Sequence, residues 1–372
     1  MDVFVYGQLM SEALMAAVTG MALPRPIPAV LPDYALCLPQ CDVVPSVLSQ
    51  DGGSVDGFIW ADLTDEAVDR LITYTAAFDD ILQPVTVSVS GQTRCVQTPL
   101  PRAPRDPGPA DWSLMAWQAD HLAPALLAAA DLLSLDPRPD AATSRQFWPA
   151  IEARAWSRHR ARHAAPATLR HAAQSGDVAM APIGAPAGSF FRFQEFAVDH
   201  QRFDRSRSPR LRRESFIGFD AVIVLPYDPV RDRVLLLEQL RIGPLLRHDP
   251  NPWMLEAVAG IIDARETPLQ AAMRETQEEA GITPRELVPA GAYYPSPGAV
   301  TEHFYTFVGL CDLPDTTPYT GGLDVEGEDL RLHPVDFDAA MALADSGEVT
   351  TGPLLTLLYW LARHRDGLRG MG

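Results

Sequence analysis

The sequence predicts an α+β protein of more than one domain, and three observations carry that expectation. Across residues 1–100, short apolar strands alternate with short helical patterns. Residues 101–185 open in a proline-rich break and continue as long helical patterns. From residue 186 to 372, near-continuous apolar strands lead into a glycine loop and a capped helix that carries carboxylates.

The first part begins with the apolar strand Val3-Phe4-Val5 and the turn Tyr6-Gly7-Gln8-Leu9. A glycine just after a strand allows either an inward-facing anion nest or a simple tight turn. Met10 to Val18 reads as a helix, Ser54 to Trp60 as a strand, Thr64 to Tyr74 as a helix capped by Thr64, and Pro84 to Val89 as a strand. This order resembles the gamma-glutamylcyclotransferase-like (AIG2-like) family, whose opening is a strand followed by Y-G-x-L. The resemblance implies a small β-barrel with a catalytic glutamate just after a helix. Here that run is Leu71-Ile72-Thr73-Tyr74-Thr75, with threonine at the glutamate position. A threonine cannot serve as a carboxylate base, so the expectation is a barrel without cyclotransferase activity, kept for binding or packing.

Residues 99–110 hold six prolines or glycines in quick succession, and Asp111 is placed to cap a helix reaching Leu133, with Trp112, Met115, Leu122 and Leu126 as apolar positions. Pro124 is expected to kink that helix or end it early. A second helix is expected from Ser144 to Ala173, interrupted near Pro166. Its Arg154, Arg158, His159, Arg160, Arg162 and His163 make a basic stretch whose default is a solvated or packed face, and Gly184 to Gly188 marks a boundary.

In the third part Phe190 to Val198 alternates like a strand, followed by Arg202, Arg205, Arg207, Arg210, Arg212 and Arg213. Ala221 to Leu225 and Val234 to Leu237 read as buried strands around the turn Pro226 to Pro229. Then comes Gly260-Ile261-Ile262-Asp263-Ala264-Arg265-Glu266, seven residues, and Arg274-Glu275-Thr276-Gln277-Glu278-Glu279-Ala280-Gly281-Ile282. Thr267 fits the N-cap, Pro268 the first turn, Gln270 a capping box and Gly281 the stop. Leu269, Ala272, Met273, Thr276 and Ala280 share one face, and Glu275, Glu278 and Glu279 share another at i, i+3 and i+4. Like charges so placed repel each other. A hard divalent cation reverses the sign, because it takes carboxylate oxygens together with waters and substrate phosphates.

The stretch resembles the signature of the Nudix hydrolases, G-x5-E-x7-R-E-U-x-E-E-x-G-U with U a bulky aliphatic, and departs from it only at Thr276. Its surroundings resemble the ADP-ribose pyrophosphatase group of that family. The features are Glu238-Gln239-Leu240-Arg241, the approach from Glu256 to Gly260, the turn Tyr294-Pro295-Ser296-Pro297-Gly298 with Glu302, and the acidic loop Asp324 to Leu330. Some members place an arginine where this chain has Gly218. The resemblance implies a Nudix α/β/α sandwich with a mixed sheet, and Mg2+ (or Mn2+) held by Glu275, Glu279 and the carbonyl of Ala259. It gives Glu278 a supporting part, Arg274 the task of orienting carboxylates, and Glu326 or Glu328 that of the base. Arg241, Glu256, Pro297, Gly298 and Glu302 are the implied substrate contacts. The implied reaction is hydrolysis of ADP-ribose to AMP and ribose 5-phosphate. The alternatives are another nucleoside diphosphate sugar, a dinucleotide, or a non-catalytic ADP-ribose sensor. The implied assembly is a homodimer through the Nudix domain. The fusion itself resembles bacterial tellurite-resistance-associated proteins.

Composition narrows the partners. The chain of 372 residues carries a formal net charge of -18, and all 30 of its basic residues are arginine. That balance argues against nucleic acid or an anionic membrane surface as a partner. It also means that local arginine or metal must receive an anionic substrate. No leader-like segment opens the sequence, and Cys37, Cys41, Cys95 and Cys311 lack zinc-ligand grouping, so the expectation is buried free thiols in a reducing cytoplasm.

Overall fold

The computed structural model describes the chain except for residues 40–41, 107–111, 163–165, 316–318, 323–326 and 371–372. It divides into two compact units, Met1–Glu214 and Ser215–Gly372. The division lies beyond the boundary at 185 that the glycines suggest. Residues 186–214 belong with the first unit.

The first unit is built on a barrel of β1 (Val3–Val5), β2 (Ile27–Cys37), β3 (Ser46–Trp60), β4 (Asp80–Val89) and β5 (Gln92–Pro101), closed in the order β1-β3-β2-β4-β5. Closure leaves no strand edge open. Strand alternation sorts the side chains. Phe4 points into the barrel with Leu31, Val55, Val87 and Val96. Val3 and Val5 point outward into a second core. That core is covered by α1 (Glu12–Thr19), α2 (Asp65–Ala76), α3 (Leu114–Leu133) and α4 (Ala141–Arg160), through Leu14, Leu71, Tyr74, Trp117, Leu132 and Ile151. The long helices therefore pack on the barrel unit.

Several local expectations are decided here. The turn after β1 is a 3-10 turn, Gly7–Met10. Gly7 is required there, because φ is +62° and a Cβ would meet Pro45 Cγ at 2.5 Å. Helix α3 is capped by Ser113 (Asp111 lies outside the described residues), and it runs through Pro124 without ending. Helix α4 stops at Arg160, well short of Ala173. Cys37 and Cys311 are buried free thiols as expected, whereas Cys95 is exposed; Cys41 lies outside the described residues.

The first unit also contains β6 (Val178–Ala187) and β7 (Arg192–His200), which form a three-stranded sheet with β8 (Leu211–Ile217) in the order β6-β7-β8. Between β6 and β7 the turn at Gly188 is tied to the helices. Arg154 and Arg192, 0% and 1% exposed, share the carboxylate of Asp131 at 2.9 and 3.3 Å. Arg154 Nη1 donates to the carbonyls of Phe190 (2.6 Å) and Ser189 (3.4 Å), and Arg192 Nη1 donates to that of Gly188. Buried guanidiniums stay charged, so this shared carboxylate and these carbonyls are what makes their burial tolerable. Two of the clustered arginines are also locally committed: Arg207 pairs with Asp199, and Arg212 with Glu195.

The second unit holds β9 (Asp220–Asp228), β10 (Arg233–Leu240), β11 (Trp253–Glu256), β12 (Val258–Ile261), β13 (Glu286–Tyr293), β14 (His303–Leu310), β15 (Tyr319–Gly321) and β16 (Leu330–Asp336). They make a mixed sheet in the order β13-β14-β9-β10-β16-β15, with β11 on β10 and β12 on β9. β14 runs parallel to β9, and the other pairs are antiparallel. Helices α5 (Ile242–Leu246), α6 (Pro268–Ala280), α7 (Phe337–Ser346) and α8 (Gly352–Arg369) complete it. Successive residues of β9 face opposite cores. Val222 and Val224 join Ala271, Ala272 and Ala280 of α6, while Ile223 and Leu225 join Leu357, Leu358 and Leu361 of α8. This is an α/β/α sandwich, and it explains why the strands read as continuous apolar runs. Among the described residues no helix is long and apolar enough to cross a membrane.

Candidate active site

Helix α6 forms where its capping signals place it. Thr267 and Gln270 complete a capping box, Pro268 opens the helix and Gly281 ends it with φ +67°. The helix turns Ala271, Ala272, Thr276 and Ala280 into the core, and Thr276 places its hydroxyl on the carbonyl of Ala272 at 2.7 Å. Leu269, expected on the packed face, is exposed instead.

The glutamates of α6 do not form a solvated face. Glu279 is 3% exposed, and its Oε2 accepts from the amide of Ala259 at 3.1 Å. Burial pushes its carboxyl up to about 9, and Glu328 and Glu275 add repulsion. Glu275 lies over the backbone of Gly260, so closely that a Cβ there would fall 1.9 Å from its carboxyl carbon. Arg274 is the hub of the network. Its Nε and Nη2 take the two oxygens of Glu266 at 2.9 and 2.8 Å, and its Nη1 reaches Glu275 at 2.7 Å and Glu278 at 2.9 Å. Nη2 also donates to the carbonyl of Ile261 at 3.1 Å. Glu266 has no role in the sequence reading beyond its place in the motif; here it anchors the arginine that holds the two helix carboxylates.

Gly322, just after β15, and Glu328 lie near this cluster. Gly322 donates its amide to the carbonyl of Glu279 at 3.2 Å, and a Cβ on Gly322 would meet Glu328 Cβ at 2.8 Å. Glu328 is near enough to the buried carboxylate of Glu279 for its charge to act on it; Glu326, with Asp324 and Val325, lies outside the described residues.

The run Glu238 to Arg241 splits across the sheet. Leu235 and Leu237 belong to the core on the α6 side, so Gln239 faces that side too. Glu256 sits opposite Leu237 and shares that face. Arg241 binds Glu256 through Nε and Nη2, both at 2.8 Å. Glu238 faces the other way and meets His333 at 2.9 Å. Pro297 and Gly298 form an exposed turn. Glu302 rests against Gly218, where a Cβ would lie 2.9 Å from its Cγ, and burial raises its carboxyl. Strand register separates it from the carboxylate cluster. Thr306 aligns through Ile223 with Ala259, so Glu302 lies four residues away along the strand direction, roughly 13 Å.

The donor set fits a hard divalent cation: glycine leaves a cradle for one carboxylate, and a second is buried against like charges. Among the described residues no three His, Cys, Asp or Glu side chains are already grouped around one point.

Comparison with known proteins locates both units. A NUDIX domain model matches residues 219–349, and a gamma-glutamyl cyclotransferase, AIG2-like model matches residues 3–112. The ADP-ribose pyrophosphatase of Escherichia coli (strain K12) is 35% identical over 180 residues, 48% of this chain and 85% of that protein. The ADP-ribose pyrophosphatase of Haemophilus influenzae is 33% identical over 174 residues, 46% of this chain and 80% of that one. A GDP-mannose pyrophosphatase of Enterobacter sp. (strain 638) is 29% identical over 152 residues, 41% of this chain and 78% of that one. A solved structure described as an ADP compounds hydrolase aligns with a TM-score of 0.40 at 20% identity, over 52% of this chain and 94% of its own. With the signature helix, the sandwich and the two ADP-ribose pyrophosphatase relatives in agreement, the chain belongs to the Nudix hydrolases, and it carries its NUDIX domain behind an AIG2-like barrel.

Proposed function

We propose that the chain hydrolyses the diphosphate of ADP-ribose to AMP and ribose 5-phosphate with Mg2+, or Mn2+ in its place, in the cytoplasm. The observation that carries this reading is the Glu275 carboxylate cradled over Gly260 beside buried Glu279, with Arg241 on the same side of the sheet. The relatives that act on ADP-ribose support the substrate class, since the alignment spans most of their length.

Glu275, Glu279 and the Ala259 carbonyl hold the cation in this reading. The cation supplies electrostatic stabilisation of the phosphoryl oxygens. Glu328, whose charge acts on Glu279, takes the proton of the attacking water. The water oxygen bonds to phosphorus as the bridging P–O bond breaks, and the departing phosphate keeps the electron pair. Arg241 bonds Glu256 through Nε and Nη2, which leaves Nη1 to receive a phosphate oxygen. Arg274 keeps Glu275 and Glu278 in place.

The GDP-mannose pyrophosphatase relatives favour a second reading, hydrolysis of another nucleoside diphosphate sugar. One experiment separates the two. The chain is incubated with Mg2+ and a panel that includes ADP-ribose and GDP-mannose, and products are identified by mass. AMP with ribose 5-phosphate as the fastest products supports the first reading. GMP with mannose 1-phosphate as the fastest overturns it in favour of the second. No turnover of any member leaves a binding role.

A homodimer completes the proposal, with its contact on β6 of the first unit rather than through the Nudix domain as the sequence suggests. Val178, Met180 and Ile183 of the edge strand β6 are exposed, and Phe190 and Phe191 beside them are half-exposed. An open apolar edge of this kind favours pairing with a second copy.

A further inference from the structure

Arg241 faces two demands that conflict. It has to stay near the carboxylate cluster to meet an anionic substrate. It must also not pair with Glu279, the buried carboxylate that the cation needs. A guanidinium cannot shed its proton, so only a competing anion can resolve this.

The structure supplies that anion. Arg241 donates Nε and Nη2 to one oxygen of Glu256, both at 2.8 Å. Glu256 comes from β11, the strand hydrogen-bonded to β10, and its position opposite Leu237 sets its side chain on the α6 face. The Glu256 side chain is 18% exposed and that of Arg241 43%, so the carboxylate is the fixed member and the arginine the outer one. Gln239, also on that face, favours the charged form of the Glu256 carboxylate. The positive charge of Arg241 is already felt at Glu279, where it counters the effect of burial.

Building on the proposed metal-dependent hydrolysis, we infer that Glu256 is a positioning residue that holds the Arg241 guanidinium away from Glu279 and so keeps that carboxylate open to the cation. Glu256 acts through Arg241 and need not touch the substrate. Without it, the flexible arginine swings to the next carboxylate, Glu279, and competes with metal. Gln239 steadies the anchor.

The test measures Mn2+ binding to the substrate-free full-length chain by electron paramagnetic resonance, with circular dichroism confirming that each variant is folded. Glu256→Gln is expected to weaken Mn2+ binding by about 10-fold, the scale of a lost supporting contact at a metal site. Glu256→Asp, which keeps the charge but shortens the reach, should move it in the same direction by less. Adding Arg241→Gln to Glu256→Gln removes the competitor and should restore binding to the wild-type level. A merely structural role for Glu256 predicts no such recovery. Unchanged Mn2+ affinity in Glu256→Gln, or a double variant as weak as the single one, overturns the inference while leaving the hydrolase reading intact. A wild-type chain that takes up no Mn2+ overturns both.

Discussion

Gly260 and Glu275 occupy a space that admits no additional atom: a Cβ on the glycine would lie 1.9 Å from the glutamate's carboxyl carbon and 2.0 Å from one of its oxygens. The φ of this glycine is unexceptional, so the requirement is for space. Gly260→Ala should therefore displace Glu275 and lower turnover by at least about 100-fold, the ~3 kcal/mol scale of one lost electrostatic stabiliser, with little loss of fold. Steady-state kinetics beside a circular dichroism melt checks it, and wild-type turnover in the alanine variant would refute the cradle.

Glu279 gives the corresponding charge test. Glu279→Gln should also lower turnover by at least about 100-fold, and excess chelator should abolish wild-type activity. Full activity in chelator would remove the cation from the reaction.

The same residue makes stability depend on pH in metal-free protein. Its folded carboxyl titrates at about 9 against an ordinary value of 4.5. Between those values the folded chain holds a proton that the unfolded chain has released. Stability from this group therefore falls as pH rises through the window. Urea midpoints in chelator should decline from about pH 5 to about pH 9, Glu279→Gln should flatten that decline, and saturating Mg2+ should oppose it. Equal slopes in wild type and variant would refute the assignment.

The barrel unit should lack cyclotransferase activity. Thr75 is buried and gives its hydroxyl to the carbonyls of Leu71 at 2.9 Å and Ile72 at 3.3 Å, so it is turned into its own helix. The full-length chain should release no 5-oxoproline from gamma-glutamyl substrates; steady release would show that another residue has taken over the missing carboxylate's task.

Association is tested by sedimentation equilibrium across a wide concentration range. The exposed β6 edge predicts a dimer mass. A single species at monomer mass with full activity would rule the dimer out.

The helix at the centre of the site was legible residue by residue, because capping is local: Thr267, Pro268, Gln270 and Gly281 each act within one turn. The burial of Glu279 was not, since helical spacing tells which side chains are neighbours but not what covers them. Period-two alternation could have separated Glu238 from Gln239, but only the packing of Leu235 and Leu237 says which face meets α6. The pairing of Asp131 with Arg154 and Arg192 left no sequence signal at all. Its members come from two helices and the start of a strand, and within the basic stretch Arg154 looks like every other arginine.

That pairing changes how the segment from Gly188 to Arg192 meets a protease. Phe190 and Phe191 are half-exposed side chains of the kind an aromatic-specific protease selects, and they follow a glycine and a serine. Cleavage, however, requires the backbone to leave its place and lie extended in the enzyme's cleft. Here the carbonyls of Gly188, Ser189 and Phe190 are held by guanidiniums rooted in the interior of the unit. The segment offers suitable side chains on a backbone that cannot be drawn out, so these phenylalanines should survive brief digestion in the folded chain.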